Sequence, residues 1–365
     1  MKSVIHHKPN LEHRLKKRLT PLRKAIVYHG TERRTRLKLP LRTRWRAWRL
    51  GFTSGSYVLY DLDHRDPSDY LRDFSDINYL MDNPGAHAAR DKFQFARNMS
   101  MLGIPTPEVL ALVRNYAVVW PDASKGIAGT GLIEALNGLL ENRDRLVFRP
   151  TSGGAGDGVM ILERRDAGIV VNADPSTVQA VAEYLRDKGS YIVTPYIEQA
   201  RYADAIYPGA LNTVRMLTIW DSAGNEPVLV RAVHRFGSSR SFPMDHFHAG
   251  FGGVCAPVDL ESGQLGTALS LEPDGRLKPF ERHPETGGQI SGVTIPFWNE
   301  TADLVLKAAR HYATAPYIGW DVAMTEAGPS FIEANSPPGP AIMQVHAPLL
   351  KDERIRRFYR EQGMI

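Results

Sequence analysis

The sequence has one cysteine, Cys255, in 365 residues. A lone thiol excludes an internal disulfide framework and fits a reducing compartment. No apolar run approaches the ~18 residues that a spanning helix requires. The first residues are charged and lack the apolar stretch of a secretory signal, so a cytoplasmic location is expected. No internal repeat is visible. With 31 glycines and 25 prolines, the chain is too poor in both to be low-complexity and suits a loop-rich mixed protein.

Acidic residues are nearly missing from residues 1–50. Glu12 and Glu32 stand against 16 Lys and Arg there, a net +14. Residues 51–365 hold the other 29 basic and 38 acidic residues and net −9, so the overall +5 describes neither part. In the basic leader, Leu11, Leu15 and Leu19 recur every four residues, the pattern of a short amphipathic helix. Thr20-Pro21 reads as an N-cap and first position of a second helix. Arg42 to Arg49 interleaves cations with Trp45 and Trp48. Three roles compete for the leader: lying on an anionic membrane or nucleic acid, packing on the acidic body, or remaining a solvated extension. The tryptophans argue against pure disorder. With no zinc-finger spacing or RNA-recognition motif, nucleic acid is the weakest partner.

Within the body, the periodicity predicts a helix over 86–102, stopped by Gly103 to Pro107. Further helices are expected over 176–187 and 300–313, and strands over 191–197, 213–220, 228–234 and 329–334. Elements mix without βαβ alternation, so the fold class is α+β. Between the strand-like Leu146-Val147-Phe148-Arg149 and Val159-Met160-Ile161-Leu162 runs Thr151-Ser152-Gly153-Gly154-Ala155-Gly156-Asp157-Gly158. Glycines there let backbone N–H groups turn toward an anion such as polyphosphate. The loop lacks a Gly-Lys-Ser/Thr and leads into a strand, which excludes a Walker A site and a dinucleotide fingerprint. A flexible hairpin tip is the plain alternative.

Asp321, Glu333 and Asn335 form a second cluster. A turn at Glu326-Ala327-Gly328-Pro329 makes the region a hairpin, and Glu333 and Asn335, two apart, share a strand face. Two carboxylates and an amide oxygen are hard ligands that suit Mg²⁺ held against phosphates. A solvated hairpin face is the plain alternative.

Together these pieces resemble the ATP-grasp superfamily. The order is Asp91-Lys92, Arg149-Pro150 with its glycine loop, Thr194-Pro195-Tyr196-Ile197-Glu198, then Asp321, Glu333 and Asn335. Ile332 to Gly339 looks like the metal strand of D-alanine:D-alanine ligases. A narrower resemblance, over roughly residues 51–345, is to the sugar-transfer-associated ATP-grasp family. It rests on Asn212-Thr213-Val214-Arg215, Asp245-His246-Phe247-His248-Ala249-Gly250, His283 to Gly287, Ile295-Pro296 and Gly319 to Gly339.

The resemblance implies two α+β subdomains sandwiching ATP between antiparallel sheets, preceded by a basic helical extension. Residues 1–50 would be the leader, 51–110 a helical pre-grasp region, 111–198 a small lid subdomain with the glycine loop, and 199–365 the subdomain with metal and substrate sites. Lys92, Arg149, Ser152, Gly153, Gly154, Gly156 and Gly158 would contact phosphates, and Thr194, Pro195, Tyr196, Ile197 and Glu198 the adenine. Arg149 stands where the superfamily has a lysine, which puts the phosphate geometry in question. Asp321, Glu333 and Asn335 would hold one or two Mg²⁺ ions, with Mn²⁺ compatible. Arg215 and Arg235 are expected to contact phosphate or carboxylate, whereas Arg231 is expected to be an ordinary surface residue.

His248 is an acid/base or substrate-binding candidate, or a plain loop histidine; His283 is open to the same readings. The His-x-His pair lacks a second Cys/His pair for zinc. The expected activity is an ADP-forming carboxylate–amine ligase working through an acyl phosphate on small-molecule substrates. The family's sugar-transfer association suggests polysaccharide or natural-product modification, and a place at the inner face of the membrane. The alternatives are a kinase of a sugar or other hydroxyl on the same scaffold, and a nucleotide-binding module with little catalysis. The oligomeric state is not readable, with a dimer the common default.

Overall fold

A computed structural model describes residues 32, 37, 39–73, 75, 83–115, 117–122, 131–153, 156–166, 168–247, 252–272 and 274–365. Most of the basic leader, the expected helices around Leu11 and Thr20, Gly154 and His248 lie outside the described residues.

Two seven-stranded sheets organise the described residues. The first is built from β1 (Ala111–Arg114), β2 (Ala117–Val119), β3 (Arg145–Pro150), β4 (Met160–Arg165), β5 (Gly168–Val171), β6 (Asp174–Ser176) and β7 (Ser190–Pro195), in the order β2-β1-β7-β3-β4-β5-β6. The second contains β8 (Thr213–Asp221), β9 (Glu226–Phe236), β10 (Val254–Pro257), β11 (Ala268–Leu271), β12 (Leu277–Phe280), β13 (Tyr317–Thr325) and β14 (Gly328–Asn335), in the order β12-β11-β10-β9-β8-β13-β14. Pairing is antiparallel throughout. This is the α+β, two-sheet architecture that the ATP-grasp resemblance implies.

The two-residue period of each strand decides what it buries. In β3, Leu146 and Phe148 enter a core closed by helices Leu132–Glu141 and Val178–Leu185. Val147 and Arg149, in alternate positions, line the cleft instead. In the second sheet, Val214, Met216, Trp320 and Val322 pack with Val305 and Ala308 of helix Trp298–His311. Leu217, Ile219 and Tyr317 belong to a different core, shared with Phe52, Tyr57 and Tyr60 from before the first sheet and Phe358 and Tyr359 from the C-terminal helix. These chain-terminal elements cover one part of that face. Arg215, Arg235 and Asp321 have the same strand parity and occupy the part left uncovered.

Some expectations need correction. The single helix over 86–102 is two, Pro84–Ala89 and Lys92–Met101. Asp91 breaks it by capping the second helix, accepting from Gln94 N at 2.7 Å. That cap fixes the start of the segment that presents Lys92 to the glycine loop, whose Thr151 carbonyl accepts from Lys92 N at 3.0 Å. Arg231 is not an ordinary surface residue. It is half-buried, its Nε is sealed without a hydrogen-bond partner, and burial lowers its pKa, with Asp352 and Tyr359 opposing.

Candidate active site between the two sheets

A cleft opens between the sheets. Its apolar wall includes Val147, Val159, Ile161, Ile197, Leu211 and Ile332, and its polar end gathers Lys92, Arg149, Arg235, Asp245, Asp321 and Glu333. An apolar slot ending in clustered charges is the general form of a small-molecule site.

The antiparallel register of the second sheet assembles the charged end. Asp321 of β13 sits opposite Glu333 of β14 on one side and Arg215 of β8 on the other. Asp321 is 4% exposed. It forms an ion pair with Arg215 Nε, accepts from Arg215 Nη2 at 2.9 Å, and lies 3.2 Å from Arg235 Nη2. Burial alone would disfavour its charge. The guanidiniums of Arg215 and Arg235 outweigh burial and hold the carboxyl down at about 2. Arg215 also donates to Pro338 O at 2.8 Å. Gly319 makes room for that reach, since a Cβ there would come within 3.0 Å of Arg215 Cδ and 2.7 Å of Pro338 Cβ.

Arg235 is fixed from the other side. Asp245 Oδ2 lies 3.3 Å from Arg235 Nε, without hydrogen-bond geometry, and accepts from Thr213 N at 2.8 Å and Thr213 Oγ1 at 2.6 Å. Burial opposes the Arg235 charge, but Asp245, Asp321 and Glu333 together raise its pKa. Asp245 and Thr213 were absent from the residues singled out as a site. The available signal was their place in the two motif segments that also hold Arg215 and His248.

At the start of the helix Lys92–Met101, Lys92 Nζ donates to Gly153 O at 3.2 Å and pairs with Glu333 Oε2 at 3.2 Å. Arg149 Nη1 reaches across to Ile332 O of β14 at 3.1 Å. Its Nε is buried without a hydrogen-bond partner, and burial lowers its pKa against the pull of Glu333. The residue as a whole is half-buried and lines the cleft, where its charge suits contact with an anion. Ser152, Gly153 and Gly156 line the cleft with Asp157. At Gly156, φ is +63° and a Cβ would meet Met244 Cγ at 2.9 Å, so glycine suits both the left-handed backbone and the close approach of Met244.

The expected adenine segment divides. Thr194, Pro195, Tyr196 and Ile197 line the cleft. Glu198 does not; its side chain is 72% exposed and pairs with Arg145, whose guanidinium carbon lies 4.0 Å from the Tyr196 ring centroid. Gly158 also lies outside the lining, packed on Pro150 and Tyr191. His283 donates through Nε2 to Gly237 O at 2.9 Å, and its Nδ1 accepts from Glu285 N at 3.3 Å. With both ring nitrogens committed and the ring buried, His283 is a structural residue. Cys255 is buried, and burial pushes its thiol pKa up.

Asp321, Glu333 and Asn335 provide hard oxygens of the kind Mg²⁺ takes. The Asn335 Nδ2 lies 3.4 Å from Asp321 Oδ2 and 3.2 Å from Glu333 Oε1. The amide orientation is interchangeable, and its reversal turns Oδ1 toward the same point. Two carboxylates and an amide fall short of six ligands, leaving positions for phosphate oxygens and water. The residues therefore fit the ion. No cluster of three His, Cys, Asp or Glu side chains suited to a metal occurs among the described residues, and Asn335 is needed to complete this set.

Arg149→Lys tests the departure from lysine. Lysine keeps the charge but loses the fork that reaches both the cleft and Ile332 O. The expected result is about tenfold weaker ATP binding, measured by calorimetry, from loss of a charged hydrogen bond.

Several solved structures are similar at low level. The D-Ala:D-Ser ligase VanG from Enterococcus faecalis matches at 13% identity and TM-score 0.43, over 74% of this chain and 62% of that one. The D-alanine–D-alanine ligase from Bacillus anthracis matches at 12% and 0.40, over 76% and 69%. D-alanyl-alanine synthetase A from Vibrio cholerae matches at 10% and 0.42, over 77% and 62%. The chain thus spans less than two thirds of the length of VanG, and likeness at these scores carries no argument about chemistry. None of the curated proteins compared with the chain matches it. Residues 80–356, the stretch that holds both sheets and every charged residue of the cleft, match the sugar-transfer-associated ATP-grasp family, and the chain belongs to it.

Proposed function

We propose that this protein is an ATP- and Mg²⁺-dependent carboxylate–amine ligase that releases ADP and phosphate. The observation that carries this reading is the pairing pattern in the cleft. Among the four described carboxylates that line it, Asp245, Asp321 and Glu333 each lie against a Lys or Arg, and Asp157 is exposed on the glycine loop. A hydroxyl nucleophile needs a positioned base. A carboxylate is already ionised at neutral pH and needs only cations to receive it.

In this reading, Lys92, Arg149 and the backbone of Ser152, Gly153 and Gly156 hold the phosphates, while the apolar wall and residues 194–197 hold the base. The substrate carboxylate attacks the γ-phosphorus, forming an acyl phosphate and expelling ADP. The amine then adds to the acyl carbon, and the tetrahedral intermediate collapses with loss of phosphate and a proton. In this reading Arg235, which lines the cleft, stabilises the acyl phosphate and the oxyanion, and Arg215 supports it by holding Asp321. Asp321, Glu333 and Asn335 would hold Mg²⁺, which when bound neutralises charge on the transferring phosphoryl group. Sugar acids, amino acids and peptides all suit such a site, within polysaccharide or natural-product modification.

Incubation with ATP, Mg²⁺, a panel of carboxylates and hydroxylamine as surrogate amine is expected to release ADP and give a hydroxamate. ADP with a hydroxylamine-stable phosphoester would assign kinase chemistry instead. AMP as the only nucleotide product would overturn both.

A further inference from the structure

The helix Leu41–Leu50 carries an apolar stripe that faces solvent. Leu41, Trp45 and Trp48, at offsets of four and three, share one side. They are 84%, 55% and 53% exposed. The opposite side is seated on the body. Ala47 is fully buried, and Arg44 turns inward to Glu32 at 3.3 Å and to Leu37 O at 3.4 Å. Glu32 is itself held by Ser54 N and Oγ, each at 2.6 Å. Gly51 closes the helix by capping the Ala47 and Trp48 carbonyls, and Phe52 beyond it is buried. So anchored, the helix cannot roll to hide its tryptophans. Arg42 and Arg49 are exposed beside the stripe, and the Arg49 guanidinium carbon lies 4.7 Å from the Trp45 ring centroid.

We infer that this face is a docking surface for an anionic lipid bilayer, a role separate from the proposed catalysis. Tryptophan rings settle at the headgroup level, leucine reaches the acyl boundary, and flanking arginines meet anionic headgroups with their stems along the apolar surface. The +14 of residues 1–50 complements such a surface. A nucleic acid answers the charge but offers the exposed Leu41 nothing apolar. A second copy would set this basic patch against the same basic patch, because a two-fold contact uses one surface on both sides. No described helix is long and apolar enough to cross a membrane, so the contact is peripheral.

Sedimentation of the full chain with vesicles provides the test. Binding to phosphatidylglycerol-containing vesicles, absent with pure phosphatidylcholine and weakened by salt, is the expected result. Trp45→Ser/Trp48→Ser should lower the partition coefficient at least about tenfold, with an unchanged melting temperature because both rings are exposed. Arg42→Glu/Arg49→Glu should lower it by a similar factor. Absence of binding, equal binding to neutral vesicles, or binding untouched by both double variants would overturn the inference. Substitution-sensitive binding to RNA or duplex DNA without vesicle binding would give the face to nucleic acid. A dimer lost in the tryptophan variant, again without vesicle binding, would give it to a second copy. Either outcome overturns the bilayer reading.

Discussion

Asp321→Ala is expected to destabilise the protein by about 3–5 kcal/mol, the cost of leaving a buried charge without its partner. The substitution strands two cations. Arg215 is 8% exposed and keeps only the Pro338 carbonyl, and Arg235 keeps Asp245 and Thr213. The cost arises from unpaired charge, so it should be partly reversible. Arg215→Met in the Asp321→Ala background should recover stability relative to Asp321→Ala alone, because it removes one uncompensated cation. Urea unfolding monitored by tryptophan fluorescence suits the measurement, since Trp320 is fully buried next to Asp321 in β13. A loss under about 1 kcal/mol, the range of an exposed ion pair, would show that water reaches both arginines and that the cluster is not a desolvated one.

What the sequence disclosed, and what it did not, follows from the range of the interactions. The glycine loop and the hairpin of Asp321 and Glu333 were legible because each is a local strand–turn–strand with period-two alternation. The break at Asp91 was missed because a capping aspartate inside an otherwise helical run competes with periodicity, and the side-chain bond to Gln94 N wins. The extra strands β10, β11 and β12 are each four residues long, too short for alternation to stand out; β11 and β12 form a local hairpin, whereas β10 reaches β9 only across a long connection. Arg231 was misjudged for a related reason. Whether its strand face meets solvent depends on residues 343–364 folding back over that sheet, which is invisible near position 231. The apolar wall of Val147, Ile161, Leu211 and Ile332 was also missed. Alternation in β3 could have indicated Val147, but Leu211 and Ile332 come from other elements and meet it only across the cleft.

Glu333→Gln should give the largest loss of function with the least loss of fold. Its side chain is 22% exposed, and its buried cation, Lys92, keeps the Gly153 carbonyl and can still donate to the amide oxygen of the new glutamine. The unfolding free energy should fall by clearly less than the about 3–5 kcal/mol of Asp321→Ala, because glutamine keeps an acceptor for Lys92. Function should fall steeply, because Glu333 is the carboxylate of the hard-ligand set that is not already clamped by two guanidiniums. On the proposed reading, replacing it by an amide removes one of the two negative charges that would hold Mg²⁺. Hydroxamate formation is expected to drop by roughly 10²–10³-fold, the scale on which a single electrostatic contact to a transition state counts. A readout independent of substrate identity is ADP binding by calorimetry with and without Mg²⁺. In the parent, Mg²⁺ should tighten ADP binding, and in Glu333→Gln the two affinities should coincide, while metal-free ADP binding persists or improves because Lys92 loses its competing carboxylate. Retention of the full Mg²⁺ effect would remove Glu333 from the metal set and leave it as the counter-ion of Lys92.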